Sequence, residues 1–522
     1  MWKIFLALGL LVAFLFVLFS LLPSVDHPPY ASPDETSYAV IAKWIATTGV
    51  ASAPESYAPA YPWIHPRSFA SVGLSIVPVG FLGWPWFLSV FYSLFGQNAL
   101  PWIGTLLVLS SVWPLFRLLR RFGAGGAWFG LLVGFTFPAL ILFTNRGLFP
   151  NAPMIAFSLW AIYLLRQWSD RRPAFLAILW SFAIGFVIAL AIAIRPIELP
   201  WLLPWLVWAG WSARPRRVDV IAALLGMVLV FLPTAWLAHA TYGNWFSIGY
   251  WVQQNVDPSL AAPSVSVAPL IVDRSILPFG LHPNNIRWNV QAFLLNFLWP
   301  WTLLLTAGAL TFLARRRFRL KGTEALVPFL IALWTIGYLL TIYGSGLYAD
   351  HVRVGAVTIG NSFLRYLLPL APLTAWAFAY LWSVLPKRLV VRIVGALLAC
   401  SLAAFGVYRA YAGDDESLRT TRVELVRYAQ IREATKGWFH PGDVIVSERS
   451  DKIFFPEYRG VSPIPTVEQI ATFAKDENAQ VGLFVRPLSQ EQKDAWAGAG
   501  LEVQELATFG RERLYRLFPR TP

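Results

Sequence analysis

Apolar residues in this chain come in long unbroken runs. They do not show the alternating or three-to-four spacing of a half-buried strand or an amphipathic helix. Twelve runs approach the roughly 20 residues that a helix needs to cross a bilayer. They cover 4–22, 74–95, 102–119, 128–143, 152–165, 175–194, 199–211, 220–240, 293–313, 325–343, 364–385 and 390–407. As helices they predict an all-α polytopic membrane protein. The pattern changes at the C-terminal end, where 413–522 is charged and broken into short segments. There 443–447, 481–485 and 501–506 read as strands, and 466–475 and 489–497 as helices. A further helix over 416–437 leads in. Strands alternating with helices predict a small α/β domain. The expected domains are a transmembrane part, 1–412, whose first external loop is 23–100, and a soluble extracytoplasmic part, 413–522.

Composition strengthens the membrane reading. Apolar residues make up 57% of the chain and charged ones 13%, against about 25% charged in soluble domains. Mean hydropathy is +0.55. The net charge of +14 would suggest nucleic acid in a soluble protein. No basic face with interleaved aromatics supports that here, so nucleic acid is not an expected partner. Excess Lys and Arg in cytoplasmic loops explains the charge instead. Cys400 is the single cysteine, which rules out internal disulfides and cysteine-based zinc sites.

The basic residues also set orientation. They cluster as Arg117, Arg120 and Arg121; Arg166, Arg171 and Arg172; Arg214, Arg216 and Arg217; Arg315, Arg316, Arg317, Arg319 and Lys321; and Lys387, Arg388 and Arg392. From the second cluster on, two spans separate each from the next, so all five share one face, expected to be cytoplasmic. Run 1–22 has no small-residue cleavage site and reads as an uncleaved span rather than a signal peptide. With Met1 inside, the parity works only if 74–95 does not cross. Pro78, Gly80, Gly83 and Pro85 within it suit a broken interfacial segment. The expectation is therefore about eleven spans. The competing count has Met1 outside and all twelve runs crossing, and a tag near Gln97 labelled from the cytoplasm would establish it.

Candidate chemistry gathers on the opposite face. Asp34 and Glu35 open a helical stretch soon after the first span. They can be simple N-terminal acids favouring the helix dipole. They can also act as a general base on a hydroxyl or hold a divalent cation. His65 and Arg67 can grip a phosphate or sit among lipid headgroups. Arg195 and Glu198, three residues apart between two apolar runs, can pair or bind a ligand. Arg365 and Tyr366 stand at the mouth of a late span, where Arg365 can snorkel or meet an anion. Asp350 and His351 read as a solvated pair.

Taken together these features resemble the GT-C membrane glycosyltransferases, in particular the protein O-mannosyltransferases that use dolichyl-phosphate-mannose and the bacterial enzymes that add aminoarabinose to lipid A. Four motifs carry the resemblance, over roughly 1–385: Asp34-Glu35 after the first span; His65-Pro66 ahead of a re-entrant segment ending in Phe95-Gly96; the Arg195-Pro196 turn; and Arg365-Tyr366-Leu367-Leu368-Pro369. The resemblance implies a GT-C fold with a membrane-parallel helix pair in the first external loop. It implies a sugar donor on a polyprenyl phosphate and inverting transfer to a protein, lipid or glycan acceptor outside the cytoplasm of a prokaryotic plasma membrane. Asp34 would be the base and Glu35 its support. Arg365, Tyr366, Arg67, His65 and Arg195 would serve the donor phosphate. Asp34 is also the place for a divalent metal cofactor, whose need stays open. The chain departs from its relatives at Pro150-Asn151, where they often have Pro-Asp, and at His65-Pro66-Arg67, where they often read His-Pro-Pro. The other functional classes consistent with the pattern are a lipid-linked glycan transporter or flippase and a non-catalytic membrane scaffold.

Overall fold

The structure is a computed structural model. It describes residues 2–23, 30–168, 173–211, 215–251, 279–317, 323–348 and 356–520. Asp350, His351, Arg171, Arg172, Arg214, Arg319 and Lys321 lie outside the described residues. The chain forms two compact units that interleave in sequence. The first contains Met1–Val25, Pro101–Pro233 and Ala262–Thr420; the second contains Asp26–Leu100, Thr234–Ala261 and Thr421–Pro522. This differs from the expected boundary at 412/413. The reason is that first-loop residues supply core to the tail: Tyr61 and Ile64 pack with Val444, Phe473, Leu483 and Trp496.

The first unit is helical. Among the described residues four helices are long and apolar enough to cross a membrane: Gln97–Phe122, Ala174–Ile194, Arg217–Tyr242 and Leu389–Ala412. Two further runs are bent rather than straight. Ala124–Phe135 and Pro138–Asn145 meet at 59°. There Pro138 disfavours helical geometry at Phe137. The expected straight span 293–313 is instead bent by 96° between Pro283–Phe297 and Trp299–Arg315, with Pro300 in the first turn of the second helix. Leu8–Phe19, Leu326–Ile342 and Leu370–Val384 are shorter apolar helices. Fewer helices than eleven thus meet both length and apolarity.

Close packing in this unit depends on small residues, as in membrane helix pairs generally. Gly126, Gly130 and Gly134 form a four-residue repeat against Ala371, Ala375 and Ala379 of Leu370–Val384. A Cβ on Gly130 would stand 2.6 Å from the Ala375 carbonyl oxygen. Asn145, buried, closes the end of the first helix: its Oδ1 accepts from Leu21 N at 2.9 Å, and its Nδ2 donates to Leu18 O at 2.9 Å.

The second unit joins two sheets. Run 74–95 is not one helix: it begins as strand β3 (Ser75–Pro78) and ends as helix Gly83–Phe95. Thirteen residues give a rise of about 20 Å, too short to cross the roughly 30 Å hydrocarbon core. That helix packs on Pro33–Thr48, so the first loop holds the expected helix pair. It also holds an unexpected antiparallel sheet in the order β1 (Ala53–Pro54), β3, β2 (Phe69–Val72). The tail is α/β. Its sheet runs β5 (Arg459–Val461), β4 (Val444–Ser447), β6 (Val481–Val485), β8 (Glu512–Pro519), β7 (Leu501–Phe509). Strands β5, β4 and β6 are parallel, while β8 runs antiparallel to β6 and β7.

Candidate functional site

Several connections of the first unit collect at two ends. At one end meet the Arg146–Pro150 turn, the Pro196–Glu198 turn, the end of Thr323–Ile342 and the short helix Ser362–Tyr366. This end holds Arg195, Arg365 and Tyr366, drawn together from distant parts of the chain.

Glu198 is the anionic centre of that end. Its Oε1 accepts from Arg195 Nε at 2.9 Å and from the Tyr343 hydroxyl at 2.6 Å. Its Oε2 accepts from Trp201 Nε1 at 2.6 Å. Both Arg195 and Glu198 are buried. A buried carboxylate with three donors, one of them a guanidinium, is satisfied in the way burial demands. Of the two readings open for Arg195, the structure shows pairing. Tyr366 extends the cluster, stacking on Tyr343 with centroids 4.0 Å apart and lying under Arg195 at 5.1 Å. Arg365 donates from Nη2 to the Ser362 hydroxyl at 3.1 Å and to the Tyr366 hydroxyl at 3.3 Å.

A third arginine, not among the residues singled out from the sequence, joins them. Arg146 and Arg365 both stand over the Phe149 ring, each 4.6 Å from its centroid. Guanidiniums are planar forks suited to phosphate. The turn that presents Arg146 is fixed by a close crossing: a Cβ on Gly147 would stand 1.8 Å from the Pro101 carbonyl oxygen. On either side of it, Thr144 Oγ1 and Asn151 Oδ1 are buried with no hydrogen-bond partner among the described residues. Such atoms are ordinarily satisfied by water or a ligand. The polar triplet Asn145-Arg146-Gly147 ending an apolar run was the available signal.

The other end gathers the basic loops. Arg315 donates to Val384 O at 3.1 Å, and Arg392 donates to Trp382 O at 2.7 Å, covering the carbonyl end of Leu370–Val384. Here lies a cavity of about 940 Å³ lined by Arg121, Arg166, Trp205, Trp208, Phe312 and Trp376 among others.

In the second unit Asp34 and Glu35 open Pro33–Thr48, capped by Ser32, whose hydroxyl accepts from Glu35 N. Asp34 Oδ1 accepts from the Ser68 hydroxyl at 3.0 Å, and Glu35 is buried. Both the capping geometry and an acid held by a hydroxyl are therefore present. Among the described residues no three His, Cys, Asp or Glu side chains gather in one place. Arg67 is engaged elsewhere in the unit: its Nε donates to Asp451 Oδ1 at 2.9 Å and its Nη2 to Arg449 O at 2.6 Å. Asp451 is fully buried, so this fork serves the tail's structure. The His65 Nδ1 lies 3.1 Å from Pro66 O.

No protein-family model and no curated protein matches the chain. Solved structures do. ArnT from Cupriavidus metallidurans bound to undecaprenyl phosphate aligns with a TM-score of 0.56 at 14% identity, over 98% of each chain. The same protein in the apo state aligns with a TM-score of 0.53 at 14% identity, over 98% of this chain and 97% of that one. The chain thus has the fold of ArnT over 98% of its length: a helical part with apolar helices long enough to cross a membrane and a small C-terminal sheet domain.

Proposed function

We propose that this protein is a glycosyltransferase that moves a sugar from a polyprenyl phosphate to an acceptor outside the cytoplasm, in a prokaryotic plasma membrane. One observation carries the reading: the likeness to ArnT, whose crystal structure holds undecaprenyl phosphate, covers 98% of both chains. The cluster of Arg146, Arg365 and Tyr366 supplies the chemistry such a donor needs, with guanidinium and phenol donors for a phosphate.

In this reading the acceptor hydroxyl loses its proton to Asp34, with Glu35 in support. The acceptor oxygen bonds to the anomeric carbon from the face opposite the phosphate, and the carbon–oxygen bond to the phosphate breaks. The configuration inverts and polyprenyl phosphate leaves. Arg365 and Tyr366 donate to the phosphate oxygens as negative charge builds on them. Arg195 acts through Tyr366, whose ring it covers. Arg67, a further candidate for the donor phosphate, is paired with Asp451. No step is routed through a divalent cation. The acceptor class stays at protein, lipid or glycan.

Asp34→Asn tests the assignment, because the amide still accepts the Ser68 hydrogen bond but takes no proton. Transfer from a polyprenyl-phosphate sugar in proteoliposomes should fall by about 10²–10⁴-fold, while the labelled donor still binds. Unchanged transfer would remove Asp34 from the mechanism.

A further inference from the structure

The large cavity at the basic-loop end of the first unit has no part in the transfer chemistry above. Its volume, about 940 Å³, is at the upper end of the roughly 300–1,000 Å³ of small-molecule pockets. Its walls are mostly hydrocarbon and indole, from Trp205, Trp208, Leu305, Phe312, Phe329 and Trp376. Two cations interrupt them. Arg121 lies 3.9 Å from the Trp376 centroid and 5.8 Å from that of Trp208. Arg166 lies 4.8 Å from the same Trp208 ring. Both arginines are exposed. Among the described residues neither forms an ion pair with a carboxylate, whereas Arg216 of a neighbouring basic loop closes on Asp219 at 2.9 Å.

A space so apolar does not hold water well, and two unneutralised guanidiniums at one indole repel each other. The occupant that answers both conditions has a long hydrocarbon chain and an anionic head. Basic pockets between membrane helices on the cytoplasmic side take anionic lipid headgroups. We propose that this cavity binds one anionic phospholipid from the leaflet next to the basic loops. Arg121 and Arg166 hold its phosphate, and an acyl chain lies along Trp205, Leu305 and Phe329. The ligand is a resident lipid, distinct from the sugar donor, and the inference does not depend on the transferase reading.

The test uses the full-length protein in neutral maltoside micelles, titrated with dioleoyl phosphatidylglycerol or dioleoyl phosphatidylcholine and read by native mass spectrometry. The wild type should retain one phosphatidylglycerol per chain at concentrations where phosphatidylcholine does not bind. Arg121→Gln with Arg166→Gln should weaken that retention by about tenfold or more, since a charge-assisted contact is lost twice. Ala332→Phe, which fills the cavity and keeps both arginines, should weaken it comparably. Arg117→Gln with Arg120→Gln makes the same charge change at the same end, on residues that stack on Trp113 and Phe116 outside the cavity, and should leave it intact. Equal retention of phosphatidylcholine would overturn the proposal. So would a phosphatidylglycerol signal unmoved by the Arg121/Arg166 change, or one lost equally in the Arg117/Arg120 control.

Discussion

The two ends of the helical unit treat arginine in opposite ways. At one end Arg195 is sealed with Glu198, Tyr343 and Trp201, and every donor around the carboxylate is used. At the other, Arg121 and Arg166 rest on indole faces beside an open cavity. The Asn151–Arg166 helix runs between the ends, its 16 residues spanning about 24 Å. The same residue type is a structural element where a carboxylate shares its burial. It becomes a waiting ligand site where none does. The Arg195–Glu198 pair therefore acts within the fold, whereas Arg121 and Arg166 are left for binding.

The sharpest way to break that contrast is Glu198→Leu. Removing one partner of a buried pair leaves an uncompensated charge and costs about 3–5 kcal/mol. The expected result is a large drop in the unfolding midpoint of the detergent-solubilised protein. Arg195→Met together with Glu198→Leu should recover much of the loss, since two apolar groups replace two charges. If the single and double variants unfold alike, the pair is not the unit of stability described above.

How far this was legible in the sequence differs between the ends. The three-residue spacing of Arg195 and Glu198 made their pairing a readable option, because such neighbours meet on a helical turn. Arg146, Phe149 and Tyr343 were not readable, because the cation–aromatic cluster draws on four separate connections. The pairing of Arg67 was not readable for the same reason: its partner, Asp451, lies 384 positions away. Trp205, Trp208 and Trp211 fall within an apolar run of the sequence, and only packing shows that they enclose space. In the tail the apolar run of β6 was plain. In β8, by contrast, Arg513 and Arg516 interrupt the period of two, and the strand exists because β6 and β7 pair with it on either side. The bends at Phe137 and Leu298 were written in Pro138 and Pro300, which hydropathy alone passes over.

Packing offers the next test. Gly147→Ala places a methyl group against the Pro101 carbonyl. Such overpacking costs about 1–3 kcal/mol, and the strain falls on the turn that carries Arg146. Ala332→Phe at the open end enlarges a side chain by far more, yet it has a cavity to enter and should cost less. Equal destabilisation of the two variants would mean that the cavity walls are as tightly packed as the closed end.

Acidity separates the ends more gently. Asp414 follows the last long helix and accepts from Ile359 N at 2.7 Å and Glu416 N at 3.0 Å. Burial, with the Glu416 carboxylate adding to it, holds its pKa above the ordinary carboxylate value. An acid raised on folding binds more protons in the native state than in the unfolded one. Its contribution is full below about pH 4, declines as pH rises toward the folded pKa, and is constant beyond. Asp414→Asn should flatten that decline in a pH series of unfolding midpoints. An unchanged slope would remove Asp414 as its source.

The smallest effect is expected where the charges look most conspicuous. Without a carboxylate partner among the described residues, Arg121 and Arg166 resemble exposed surface charges, whose interactions contribute roughly 0–1 kcal/mol. Arg121→Gln with Arg166→Gln should therefore leave the unfolding midpoint almost unmoved in lipid-free micelles. Adding phosphatidylglycerol changes the comparison. A ligand that binds only the native state stabilises it by about 2.7 kcal/mol at a hundred times its Kd, so the wild type should gain where the variant does not. A midpoint that falls in the lipid-free micelles would place Arg121 and Arg166 in the fold itself, and the two ends would then differ in degree rather than in kind.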